Sequence, residues 1–120
     1  MKKLIGLSAF ALVISFASCD KENVNTVTYD CTSQTPTYAN NVKAIMDSKC
    51  AFSGCHNAGT AASGINLSDY ANVSSEANND RFLGSIEHLT GYSNMPRNGS
   101  QLSTAERQTI YCWIQTGKPQ

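Results

Sequence analysis

This 120-residue chain has little charge, and what it has is balanced: nine Lys and Arg against nine Asp and Glu, together 15% of the residues. No run of basic side chains makes a patch, which excludes the electrostatic footprint of a nucleic-acid binder. No acidic tail is present either, so charge alone points to no partner. The apolar run at residues 4–16 has thirteen residues, too few to cross a bilayer comfortably. No segment repeats, and nothing alternates polar and apolar side chains long enough to predict a sheet. Histidine is scarce as well: His56 and His88 are the two possible sources of imidazole chemistry.

What is present begins with an export pattern. Lys2 and Lys3 precede the short apolar run, as in a signal peptide. Phe16-Ala17-Ser18-Cys19 then resembles a bacterial lipobox, with Phe16 where an aliphatic residue is usual. Residues 1–18 are therefore expected to be removed and Cys19 to be lipidated. Ordinary cleavage near Ala17 or Ser18 is the alternative. Either route takes the chain out of the cytoplasm. The expected location is a bacterial cell envelope, as a periplasmic or outer-membrane-attached lipoprotein touching the membrane through its anchor only. Without Lys2 and Lys3 the mature chain carries about −2.

Residues 19–35 are polar and read as a tether, whose later part Tyr29 and Cys31 dock onto a domain at residues 36–118. That domain reads as all-α. At residues 37–49, Tyr38, Val42, Ile45 and Met46 fall on one helical face, with Pro36 in the first turn and Thr35 as cap. Short helices are expected at residues 68–73, capped by Ser68 with Tyr70 and Val73 inward, and at residues 80–89. Ser103-Thr104-Ala105-Glu106 is a capping box. Ile110, Trp113 and Ile114 continue that helix, Gly117 ends it and Pro119 prevents continuation. About 80 residues with two good helices make a thin core, and a bound cofactor would add apolar mass.

The chemistry lies in Cys50-Ala51-Phe52-Ser53-Gly54-Cys55-His56. Two thiols followed directly by a histidine suit covalent haem attachment: each sulfur adds to one vinyl group and the imidazole reaches the iron. The usual spacing has two residues between the cysteines; here there are four. Two other readings stand beside this one. Cys50 and Cys55 could pair as a structural disulfide, or join His56 and a fourth ligand such as His88 around zinc. A haem iron would need a sixth ligand or an open face. Met95, in a Gly/Asn/Ser-rich loop beside Pro96, is the first candidate, and His88 is its rival. Tyr92 and Arg97 bracket Met95, where either could bond a propionate; Tyr70 and Trp113 could also approach a haem, although Trp113 better suits the contact between the terminal helices. Of five cysteines, Cys31 and Cys112 remain, and an oxidising compartment lets them pair.

Taken in order, these pieces resemble a known family. A helix leads to the cysteine pair and His56, then to Gly-Ile-Asn-Leu with Ser-Asp-Tyr, then to Met-Pro, and finally to Leu-Ser-Thr-Ala-Glu running into Trp-Ile-Gln-Thr-Gly. This is similar to the small c-type cytochrome domains of exported bacterial proteins, including the planctomycete-type cytochrome c group. The resemblance implies a cytochrome c-like fold, with N- and C-terminal helices crossing beside one covalently bound haem c. It implies that Cys50 and Cys55 bind the haem and that His56 and Met95 are the axial ligands of its iron. The expected function is single-electron transfer between redox partner proteins by a monomer, without enzymatic turnover. The alternatives are a peroxidase-like haem enzyme with a displaceable sixth ligand and a haem-free, disulfide-stapled binding lipoprotein.

Overall fold

The computed structural model describes residues 20–120. The expected signal peptide and the lipidation site Cys19 lie outside the described residues. Among these, the chain contains helices and no strand: α1 (Lys43–Lys49), α2 (Tyr70–Glu76), α3 (Asp80–Ile86) and α4 (Thr104–Gln115).

A wide turn, Tyr38–Val42, leads into α1. The Thr37 carbonyl accepts from two amides, Asn41 at 3.1 Å and Val42 at 3.3 Å, which opens the first turn beyond α-helical pitch. Thr37, not Thr35, is the cap: its hydroxyl accepts from the Asn40 amide, and Asn41 Oδ1 accepts from the Thr37 amide. Pro36 therefore stands before the cap instead of inside the helix. Asp69 likewise displaces Ser68 as the cap of α2, because its carboxylate reaches the Asn72 amide at 2.9 Å. Ser68 Oγ instead accepts from the Ala58 amide at 2.9 Å. The expected helix at residues 80–89 ends at Ile86, and the chain turns through His88 at φ +56°.

Helix α4 follows its local signals closely. Ser103 Oγ accepts from the Glu106 amide, and a Glu106 carboxylate oxygen accepts from the Ser103 amide. At the other end Gly117 (φ +89°) lets the chain reverse, so Gly117 N–H bonds Ile114 O and Lys118 N–H bonds Trp113 O.

The core gathers around α4. Val42, Met46, Val73, Ile110 and Trp113 are completely buried, with Phe82, Ile86, Leu67 and Leu102 beside them. Helix α4 packs on the Tyr38–Val42 turn. Trp113 sits at that contact, its ring centroid 6.1 Å from that of Tyr38. One carbonyl ties the two regions together: Pro119 O accepts from the Tyr38 amide at 2.9 Å and from Trp113 Nε1 at 2.8 Å.

The segment read as a tether lies against the domain from Glu22 onward. The Glu22 amide donates to Thr90 O at 3.0 Å, and Val24 is buried. Tyr29 stacks edge-on against Tyr111, and the Asp30 carbonyl accepts from Gln108 Nε2. Cys31 is disulfide-bonded to Cys112 in α4, as the cysteine pattern predicts. Docking thus starts well before Tyr29, because the carbonyl and amide of Thr90, beyond α3, offer hydrogen bonds that the local sequence does not announce.

Candidate functional site

The loop after α1 carries the two unpaired thiols and His56. It starts where Cys50 and Ala51 donate their amides to Met46 O, closing α1. A tight turn follows, with Cys55 N–H bonded to Phe52 O at 3.0 Å. Gly54 adopts φ +84° with open space around it, so the extra residues of the longer spacing bulge outward. The His56 amide then returns to Cys50 O at 3.0 Å, holding the two ends of the motif together.

His56 itself is oriented by backbone. Its Nδ1 lies 3.1 Å from Ile65 O. A carbonyl oxygen only accepts, so that contact requires the proton on Nδ1, and in the neutral ring the lone pair is then on Nε2. The Leu67 amide donates to His56 O at 2.7 Å, so residues 65–67 brace both the ring and the backbone.

Met95 comes from the loop after α3. Its amide donates to Ser85 O at 3.0 Å, and its carbonyl accepts from His88 Nε2, also at 3.0 Å. The Met95–Pro96 peptide bond is cis.

These two loops open on one cleft of about 550 Å³, which Cys50, Cys55, His56 and Met95 all line. The size lies within the range of cofactor and ligand sites. Apolar side chains complete it: Phe52 from the motif loop itself, and, from two other places, Ile65 and Leu67 of the brace and Phe82 and Ile86 of α3. Arg81 and Arg97 stand at the same cleft, Arg81 paired with Glu76 at 3.2 Å. Burial pushes the Cys50 thiol up to about 11, helped by the neighbouring Cys55 and by Glu106. Its sulfur is therefore neutral across physiological pH.

The other sequence candidates are placed elsewhere. His88 does not line the cleft; its Nε2 is engaged by the Met95 carbonyl. Tyr92 packs over Gly84 and receives Lys21 on its ring face at 5.0 Å. The Tyr70 hydroxyl donates to Lys118 O, and Trp113 is core. Among the described residues no group of three or more His, Cys, Asp or Glu side chains is arranged to hold a metal ion, so the zinc arrangement is not formed there. Nor is any helix among them long and apolar enough to cross a membrane.

Sequence reasoning missed the α3 wall, the Ile65 carbonyl and the His88–Met95 bond. Phe82 and Ile86, four residues apart, share one face of α3, but that spacing does not say what the face meets. A backbone acceptor such as Ile65 O leaves no trace in residue identity.

Compared with known proteins, the chain matches no family model, no curated protein and no solved structure.

Proposed function

We propose that this chain is an exported, lipid-anchored monohaem c-type cytochrome that passes single electrons between protein partners in a bacterial envelope. The observation that carries this reading is the convergence of Cys50, Cys55, His56 and Met95 on one largely apolar cleft. The residues fit the group. Two unpaired thiols are available for thioether bonds, and His56 keeps Nε2 free because Nδ1 is bonded to Ile65 O. A ligating histidine normally has its other nitrogen fixed in this way. Met95 supplies a thioether from a second loop whose backbone is held at both its N–H and its C=O.

Haem, when bound, supplies a one-electron Fe(III)/Fe(II) couple. The chain's part is to hold it and to tune it. Cys50 and Cys55 would hold it through thioether bonds, His56 would offer Nε2 to the iron, and Met95 would offer a thioether, a ligand that raises the potential relative to a second histidine. Phe82, Ile86, Ile65 and Leu67 line the cleft and would exclude water from the group, while Arg97, also at the cleft, would offer a cation for a propionate. Under this reading the fold would be cytochrome c-like, with α4 and the N-terminal helical segment it packs on, Tyr38–Val42 and α1, lying beside the haem. Phe52, a large apolar side chain with 44% exposure, lies on the motif loop at the cleft, where a transient redox partner would dock.

The test is an optical spectrum of the mature chain from an exporting host with c-type maturation, followed by a denaturing gel stained for haem. A stained band with a ferric methionine–iron charge-transfer band is the expected result. A stained band lacking that feature, with rapid reaction toward peroxide, would shift the reading to a peroxidase-like protein. A colourless product from a host that matures a control of the same cysteine spacing would end the haem reading and leave a stapled binding lipoprotein.

A further inference from the structure

We propose that His88 is a positioning residue for Met95. This inference rests on the haem reading and adds a role to a side chain that was first a rival ligand.

Met95 sits in a loop of Gly, Asn, Ser and Arg, with no helix of its own to place it. Its position comes from two hydrogen bonds, one to the last turn of α3 and one to the turn that follows it: Met95 N–H to Ser85 O and His88 Nε2 to Met95 O, each 3.0 Å. The first is backbone to backbone. The second is made by a side chain, and a carbonyl acceptor requires Nε2 to carry the proton.

His88 is itself held in place from both sides. Glu87 is paired with Arg107 at 3.0 Å and receives the Tyr29 hydroxyl, while the Leu89 amide returns to Gly84 O. Thr90 is joined to Glu22 of the N-terminal segment. At His88 the backbone takes φ +56°, a conformation that costs free energy for a residue with a Cβ and persists when its surroundings enforce it. Helix α3 also supplies Phe82 and Ile86 to the cleft wall. The element that walls the cleft therefore also fixes the loop bearing its candidate sixth ligand.

A methionine is a weak, neutral ligand, and an external imidazole competes with it for ferric iron. The apparent affinity for that competitor reports the fraction of protein in which the methionine is off. Losing the His88 bond leaves the Met95 carbonyl without this donor and loosens the loop, so His88→Ala should bind imidazole about fivefold more tightly, the effect of one ordinary hydrogen bond. His88→Gln, which keeps an N–H donor at similar reach, should stay near the parent value.

The experiment titrates imidazole into the haem-loaded ferric protein and its two variants, following the methionine–iron charge-transfer band, with thermal melts in parallel. Tighter imidazole binding in His88→Ala, restored in His88→Gln, is the expected outcome. A lower melting temperature in His88→Ala with unchanged imidazole affinity would mean a purely structural histidine and overturn the proposal. A haem-stained parent with no methionine band would overturn it too, because Met95 would then not be the ligand. Failure of the haem reading shows earlier and separately, as an unstained parent band on the gel.

Discussion

Glu87 Oε2 and Arg107 Nε lie 3.0 Å apart, with 7% and 17% of their side chains exposed. The pair joins the end of α3 to α4, and the Tyr29 hydroxyl completes it by donating to Glu87. Arg107 also donates from Nη1 to Leu102 O at 2.7 Å and from Nε to the Tyr29 hydroxyl at 3.1 Å, which holds this corner. The hydrogen bond to Tyr29 and the nearby Glu87 carboxylate favour the charged form of Arg107. Tyr29 is pushed above the usual phenol value, chiefly by burial.

Removing the Glu87 charge should leave the Arg107 cation with only neutral partners, the Tyr29 hydroxyl and Leu102 O. Glu87→Gln is expected to lower stability by about 1–3 kcal/mol in urea denaturation, the cost of leaving a buried charged group short of a partner. Because Glu87 adjoins His88, the same variant should also loosen the Met95 loop. A variant that unfolds at the parent's urea midpoint would show the pair to be superficial.

The Cys31–Cys112 bridge spans 81 residues. In the chain-entropy model a loop of that length stabilises by roughly 4 kcal/mol, mainly by restricting the unfolded chain. Cys31→Ala with Cys112→Ala should therefore lose most of the stability of so small a domain. Adding reductant to the parent should bring its denaturation curve toward that of the double variant. No change on reduction would mean that the N-terminal segment is held by its noncovalent contacts alone.

Cys50 offers a test in the chain without haem. Burial raises its thiol from 9.0 to about 11. At pH 8 that leaves on the order of a hundredfold less thiolate than in the unfolded chain, and thiolate is the species that alkylates. Iodoacetamide labelling of the Cys50 peptide, followed by mass spectrometry, should be correspondingly slow in the native chain and fast in urea. The neutral thiol's contribution to stability is complete below pH 9 and is lost as pH rises toward 11. Equal labelling rates in the two states would contradict the burial seen at this position.

The α4 cap should show an acid dependence. The Ser103 amide and hydroxyl hold Glu106 below its ordinary value of 4.5. A depressed carboxylate contributes stability that is present above that value and disappears as pH falls through the lower folded one. Ser103→Ala should cost about 1 kcal/mol near neutral pH. Its difference from the parent should narrow in denaturation curves measured in progressively stronger acid. A difference that stays constant with pH would assign the cap to the hydroxyl alone.

Much of the helical frame was legible because its signals are local. The Ser103–Glu106 box, the Gly117 reversal and the apolar spacing of Tyr38, Val42 and Met46 each involve residues within about two helical turns. Where two capping residues compete, the sequence is ambiguous. Thr35 and Thr37 both suit an N-cap, as do Ser68 and Asp69, and the choice follows from which oxygen reaches an amide two or three residues ahead. The bridge between Cys31 and Cys112 was legible by elimination, since the other cysteines were assigned to different chemistry.

By itself, the sequence determined the thiol–thiol–imidazole order at residues 50–56, the helical class and the pairing of the remaining cysteines. These depend on residue type and short spacing. The tertiary structure alone decided that Met95 shares a cleft with His56, that Ile65 orients the imidazole and that His88 binds the methionine's backbone instead of facing the cleft. It also decided that the segment from Glu22 lies along the domain. Each of these joins residues distant along the chain, or uses a backbone carbonyl, and such acceptors are identical at every position until folding chooses which donor meets them.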